Sequence, residues 1–287
     1  MTNHIIDTHI HVWNLQRAEY EWLKGDTSIL NQTYFIEQLT PLIKNAGITE
    51  GILVQAANNF EDTDVMMEIA AKNGWIKGVV GWLPLISPEA TEKALAEKWP
   101  DNKTYLRGCR HLIHNELDNS WLLQNDVLKS LNILAKHDLT YDIVGINIDH
   151  LKAAITVAEK SPDLKMVFDH LNQPPIASKE KFGEWGKLMK IASQHENLYA
   201  KISGLGTTAG NGENWTKEDL KPYLMHVLEL FGTERCFCGG DWPVALLAGS
   251  YEKIWMAYRQ IFSEELTAVE QEQVLYKNAV TFYNLSE

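Results

Sequence analysis

The chain is poor in cysteine, with three, Cys109, Cys236 and Cys238, in 287 residues. An odd number completes no disulfide framework, and a Cys-x-Cys pair lacking a second pair is no structural zinc site. All three are expected to be small buried residues in a reducing cytoplasm. Positive charge is also scarce: 26 Lys and Arg against 38 Asp and Glu give a formal net charge of -12. Basic residues form no stripe, and runs such as Lys179-Glu180-Lys181 mix signs as solvated helix faces do, which excludes a phosphate-tracking surface for nucleic acid. No apolar run approaches the ~18 residues of a membrane span, and the polar Asp7-Thr8-His9-Ile10-His11 comes too early for a secretory signal. Neither a membrane partner nor export is expected. A Ser/Pro/Gly-rich linker is missing too, so residues 1–287 are expected to form a single domain.

What is present is alternation. Short β-branched or apolar runs at 5–10, 51–55, 77–83, 106–112, 140–144, 165–170, 198–203 and 236–240 alternate with longer amphipathic segments. Helical spacing is clear in Leu39, Leu42, Ile43 and Ala46 before Gly47, and in Val65, Met66, Ile69 and Ala70 before Gly74. Helix starts are marked by Ser87-Pro88, by Asp149, by Thr216 three before Asp219, and by Thr267 three before Glu270. Eight strand and helix pairs in one series predict an α/β fold, a single (β/α)8 TIM barrel of the usual ~250 residues plus extended loops. Two segments, 13–32 and 206–214, have no period. Each follows a strand, where a barrel builds its active site, and both are expected to cover the pocket.

Polar residues close the apolar strands. A period of two puts Asp7, His9 and His11 on one strand face, and two imidazoles spaced in this way can converge on one cation or one substrate oxygen. Asp241 follows an apolar strand and two glycines; it either caps a helix or carries chemistry. His170 ends Met166-Val167-Phe168-Asp169-His170, while Arg110 and His111 end the fourth run, Tyr141 and Asp142 fall in the fifth, and Lys201 and Ser203 alternate in the seventh. Ionisable groups closing several strands are what the catalytic face of a barrel requires.

The segments Asp7–His11, Arg107-Gly108-Cys109-Arg110-His111, Val167–Leu171, Lys201-Ile202-Ser203-Gly204-Leu205 and Gly239-Gly240-Asp241-Trp242-Pro243 together resemble the amidohydrolase-2 group of the amidohydrolase superfamily, in particular its sugar-lactone lactonases. The resemblance extends over essentially the whole chain. It implies a barrel with His9 and His11 at the first strand end, His170 at the sixth and Asp241 at the eighth as catalytic groups. The bridging carboxylated Lys of binuclear members is replaced here by Arg110 and His111, and the fifth-strand His of many mononuclear members by Tyr141 and Asp142. Two metals are therefore not expected. One divalent cation, zinc first, held by His9, His11, His170 and Asp241, and a metal-independent site both stay open.

The reaction implied is hydrolysis of a small cyclic ester, an aldonolactone of carbohydrate metabolism, with Asp241 as the base that activates water. Arg110, His111 and Lys201 would hold the oxygen-rich substrate, and Trp82, Tyr141 and Trp242 would wall its ring. The alternatives are a metal-dependent decarboxylase of the same group and a non-catalytic barrel that binds a sugar acid. The sequence leaves a homo-oligomer open.

Overall fold

The computed structural model describes residues 4–99 and 103–285. Eight parallel strands form one sheet in chain order: β1 (Ile6–Ile10), β2 (Glu50–Val54), β3 (Ile76–Gly81), β4 (Leu106–His111), β5 (Thr140–Ile143), β6 (Met166–Phe168), β7 (Leu198–Ile202) and β8 (Cys236–Cys238). Each overlaps one of the eight apolar runs. The helices are α1 (Ile36–Ala46), α2 (Phe60–Lys72), α3 (Pro88–Glu97), α4 (Asn125–Lys136), α5 (Ile148–Lys160), α6 (Gly183–Ala192), a single turn α7 (Leu205–Thr208), α8 (Lys217–Phe231), α9 (Tyr251–Glu265), α10 (Ala268–Glu272) and α11 (Asn278–Phe282). Among the described residues no helix is long and apolar enough to cross a membrane.

The circle closes between β8 and β1, and the closure runs through the site. Thr8 Oγ1 donates to the Cys238 carbonyl at 2.7 Å, and beyond the strand end Asp241 N donates to His9 O at 2.8 Å and His11 N to Trp242 O at 2.7 Å. Backbone pairing thus holds Asp241 beside His9 and His11. The far end of the barrel is plugged by apolar side chains, Ile6, Ile52, Val54, Val80, Val167 and Phe237, against Phe282 and Tyr283 at the end of α11. Each fully buried side chain of this kind contributes ~1.5–3 kcal/mol. The (β/α)8 barrel expected from the alternation is the fold observed.

Local chemistry explains most boundaries. Ser87 accepts from Ala90 N with Pro88 opening α3, and Thr216 with Asp219, and Thr267 with Glu270, make the expected reciprocal caps. Asp149 does not cap α5. Asn147 does, accepting from His150 N at 2.9 Å, and Asp149 sits in the first turn. The aperiodic segment 206–214 begins inside α7, and 13–32 holds a 3-10 turn at Glu21–Leu23.

The shared face expected for Asp7, His9 and His11 is broken. The β1–β2 register shifts between Asp7 and Ile10, so the period of two fails there. Asp7 accepts from Tyr251 Oη of α9 at 2.6 Å, outside the sheet, whereas His9 lies beside Lys201 and Arg110 within the barrel. Asp7 also accepts from Gly240 N and His9 N, at 2.8 and 2.9 Å. It staples β1 to the turn after β8 and α9, and burial raises its carboxyl to about 6.

Candidate active site

Three side chains converge at the strand ends. His9 Nε2 and His11 Nε2 are 3.1 Å apart, and Asp241 Oδ1 lies 3.7 Å from the first and 3.5 Å from the second. All three residues are buried. Asp241 has a positive φ of 58°, a conformation L-residues avoid, and the close approach of the turn after β8 to β1 requires Gly239, where a Cβ would fall 2.4 Å from His9 Cβ. Asp241 caps no helix: its Oδ1 is buried without a hydrogen-bond partner.

Below the trio is a buried ion network. Lys201 Nζ lies 2.5 Å from Asp142 Oδ2 and 2.8 Å from Asp169 Oδ1, Arg110 Nη1 donates to Asp169 Oδ2 at 3.0 Å, and Tyr283 Oη donates to Asp142 Oδ2 at 2.8 Å. Arg110 Nη2 also donates to the Gln55 carbonyl. Burial opposes ionisation of Asp169, but Lys201, His9 and Arg110 together outweigh it and hold the carboxyl well below the usual range. For Asp142 burial prevails and raises its carboxyl. Burial pushes His9 well below the usual imidazole range, so its ring is neutral at pH 7.

The donor set suits a divalent cation. His11 Nδ1 faces the Val54 carbonyl at 2.7 Å and must donate to it, which leaves the Nε2 lone pair toward His9 and Asp241. His9 Nδ1 faces Asp169 Oδ1 at 3.4 Å, the carboxylate–imidazole support that metal-ligating histidines use. Ligand atoms ~3.3 Å apart are what a tetrahedral zinc with bonds of about 2.0–2.1 Å needs; the edges here are 3.1, 3.5 and 3.7 Å. The orphaned Asp241 oxygen completes the case, and these three residues form a group able to hold one ion. Arg110 Nη1 also approaches His9 Nε2 at 3.2 Å, so a positive group faces the same lone pair from the protein itself.

A cavity of about 390 Å³ opens onto this centre. Its polar lining includes His11, Asp241, His170 and Arg110; Trp13, Trp22, Leu30, Leu112, Val144 and Leu247 form its apolar walls. His170 stands beside the trio, its ring centroid 4.6 Å from that of His9, but it is outside the group of converging ligand atoms. The first aperiodic segment supplies Trp13, Trp22, Asp26 and Leu30 to the walls, and the second supplies Thr207.

Other predicted side chains point elsewhere. Lys201 is fully buried in the ion network and reaches no cavity wall. Tyr141 packs in the layer between sheet and helices, because its neighbour Asp142 takes the inward position on β5. His111 is tied to Glu116 at 2.7 Å and to Trp82 Nε1 at 3.1 Å, and is stacked on Trp121 at 4.0 Å; neither it nor Trp82 lines the cavity. Trp242, 2% exposed, packs edge-on against Tyr34. Residues missed by the sequence argument take their place. His114, Gln173 and Thr207 line the cavity from short turns that follow the strands, and His114 Nδ1 and Thr207 Oγ1 are buried without partners. Burial, with Arg110 second, lowers His114 to about 4.

A buried His-His-Asp centre at the strand ends of a (β/α)8 barrel is where enzymes of this fold carry their active sites. The family model described as amidohydrolase matches residues 6–285, and the chain belongs to that family. It is similar to an L-fucono-1,5-lactonase of Burkholderia ambifaria, 29% identical over 98% of this chain and 95% of that protein. A second L-fucono-1,5-lactonase, from Burkholderia multivorans, is 27% identical over 98% and 96%. A solved amidohydrolase from Burkholderia multivorans with bound zinc superposes with a TM-score of 0.90 at 27% identity, over 99% of this chain and all of that one.

Proposed function

We propose that this chain opens a small sugar lactone by general-base attack of water, with Asp241 as the base. One observation carries the reading: a buried carboxylate with an unpartnered oxygen faces two imidazoles at the wall of a cavity that also presents Arg110 and His170. Lactonases similar over nearly the whole chain support the substrate class.

Asp241 takes a proton from water as the water oxygen bonds to the lactone carbonyl carbon, and the carbonyl electron pair moves onto its oxygen. Collapse of that intermediate breaks the ring C–O bond, and Asp241 returns the proton to the leaving alkoxide. The product acid then loses its own proton to solvent. Because Oδ1 faces the imidazoles, Oδ2 is the oxygen that carries the proton. Arg110 and His170 answer the charge that develops on the carbonyl oxygen. A divalent cation on His9, His11 and Asp241, zinc first, would polarise the carbonyl and acidify the water. Trp13 and Trp22 exclude bulk water and cover the sugar ring.

The test is acid release from a panel of aldonolactones, read with a pH indicator, with and without chelator. Acid from at least one lactone is expected. Acid from none, with CO2 released from an aromatic acid, would replace this reading by a decarboxylase.

A further inference from the structure

We infer that Ser203 is a positioning residue that fixes His170 as its Nε2–H tautomer, so that His170 meets substrate as a hydrogen-bond donor and not as a metal ligand. The inference deepens the proposed lactone-opening site and rests on it only for the identity of the substrate oxygen.

The argument is hydrogen-bond accounting. Ser203 follows β7 and is fully buried. Its Oγ accepts the backbone N–H of His170 at 3.3 Å and lies 2.9 Å from His170 Nδ1. A hydroxyl has one proton to give, and among the described residues Nδ1 is the only acceptor within its reach. Were Nδ1 protonated, Oγ would accept twice and its own proton would be buried with nothing to receive it, which is costly. The Ser203 proton therefore goes to Nδ1, and the imidazole proton resides on Nε2.

The backbone enforces this pairing. His170, Leu171, Asn172 and Gln173 have φ of 53°, 51°, 53° and 55°, a left-handed turn built without glycine. Left-handed backbone is unfavourable at each L-residue, and here it is held by Trp185 Nε1 on the Leu171 carbonyl at 2.9 Å and Thr208 Oγ1 on Gln173 Oε1 at 3.1 Å. On the other side Gly204, at φ 61°, leaves room that a Cβ would take, 2.5 Å from His170 Nδ1. Nδ1 is thus wedged against Ser203, while the ring lines the cavity and Nε2 has no protein partner among the described residues. A protonated Nε2 offers no lone pair to a metal, in keeping with a ligand group of His9, His11 and Asp241 alone. It offers an N–H to an oxygen that gains negative charge.

Long-range 1H–15N correlation of 15N-histidine-labelled protein at pH 8 tests this, with the His170 signals assigned by their loss in His170→Gln. The expected spectrum has His170 protonated on Nε2 and bare on Nδ1, in Ser203→Thr as in the parent. In Ser203→Ala it shifts toward Nδ1–H, with kcat down about tenfold, KM little changed and bound metal unchanged. His170 protonated on Nδ1 in the parent protein overturns the inference, and so does a Ser203→Ala spectrum identical to the parent. If Ser203→Ala fails to fold, the parent and Ser203→Thr spectra decide. The tautomer is read without substrate, so failure of every lactone would count against the proposed reaction and leave this result standing.

Discussion

The ammonium of Lys201 lies 2.8 Å from Asp169 Oδ1, and both side chains are fully buried. Asp169 in turn holds Arg110 and faces His9, so this pair ties the inside of the barrel to the catalytic face. Lys201→Met leaves Asp142 and Asp169 in the barrel without their shared cation. Urea unfolding at pH 7.5 should show a loss of ~3–5 kcal/mol, as for other broken buried pairs. A loss below about 1 kcal/mol, the size typical of an exposed pair, would mean that the network is not structural.

Asp62 gives the pH dependence its sign. Its carboxylate accepts from Ala56 N, Ala57 N and Tyr20 Oη, yet burial prevails and raises its carboxyl from 3.8 to about 6. Between those values the folded chain holds the proton more tightly than the unfolded one. The stabilisation from this proton is complete below pH 3.8 and is lost as pH rises through 6, a change of at most about 3 kcal/mol. Urea titrations of the parent and Asp62→Asn should therefore show the parent's advantage shrinking from pH 4 to pH 7. An advantage that is constant or grows with pH would contradict the sign.

Trp22 lines the cavity, with its indole N–H on the Ala56 carbonyl at 2.7 Å. Trp22→Ala should raise KM about tenfold, the order that ~1.4 kcal/mol of lost ring contact gives, with only a small fall in thermal midpoint. Unchanged kinetics with a large loss of stability would make Trp22 a packing residue and remove the first loop from the substrate.

The donor atoms of His9, His11 and Asp241 form one group able to hold a single metal ion. Elemental analysis of protein purified without added metal should give at most about one equivalent, because three protein ligands and a free position complete one tetrahedral ion. His11→Asn should lower that content severalfold. Two equivalents would contradict the single centre.

How much of this was legible depends on whether the signal is local. His11, His170 and Asp241 stand at or just beyond the ends of largely apolar strands, where a polar residue marks the strand end, and all three line the cavity; His9, inside β1, is reached from His11 by the period of two. The outward turn of Asp7 was not readable, because the register shift in β1 is a backbone event that no side-chain pattern announces. On β5, whether Tyr141 or Asp142 faces inward depends on Lys201, 59 residues beyond Asp142. His114 and Thr207 lie in single helical turns too short for a period to point at the cavity. The left-handed turn at 170–173 contains no glycine to flag it.

The central claim, that Asp241 activates water at this centre, is tested most directly by Asp241→Asn. Asn keeps the shape but takes up no proton, and the side chain holds no hydrogen bond on which the fold depends. Initial rates of acid release from the best aldonolactone should fall by at least about 100-fold, while calorimetric binding of that lactone stays within a few-fold of the parent. Turnover within tenfold of the parent would contradict the assignment of Asp241 as the base.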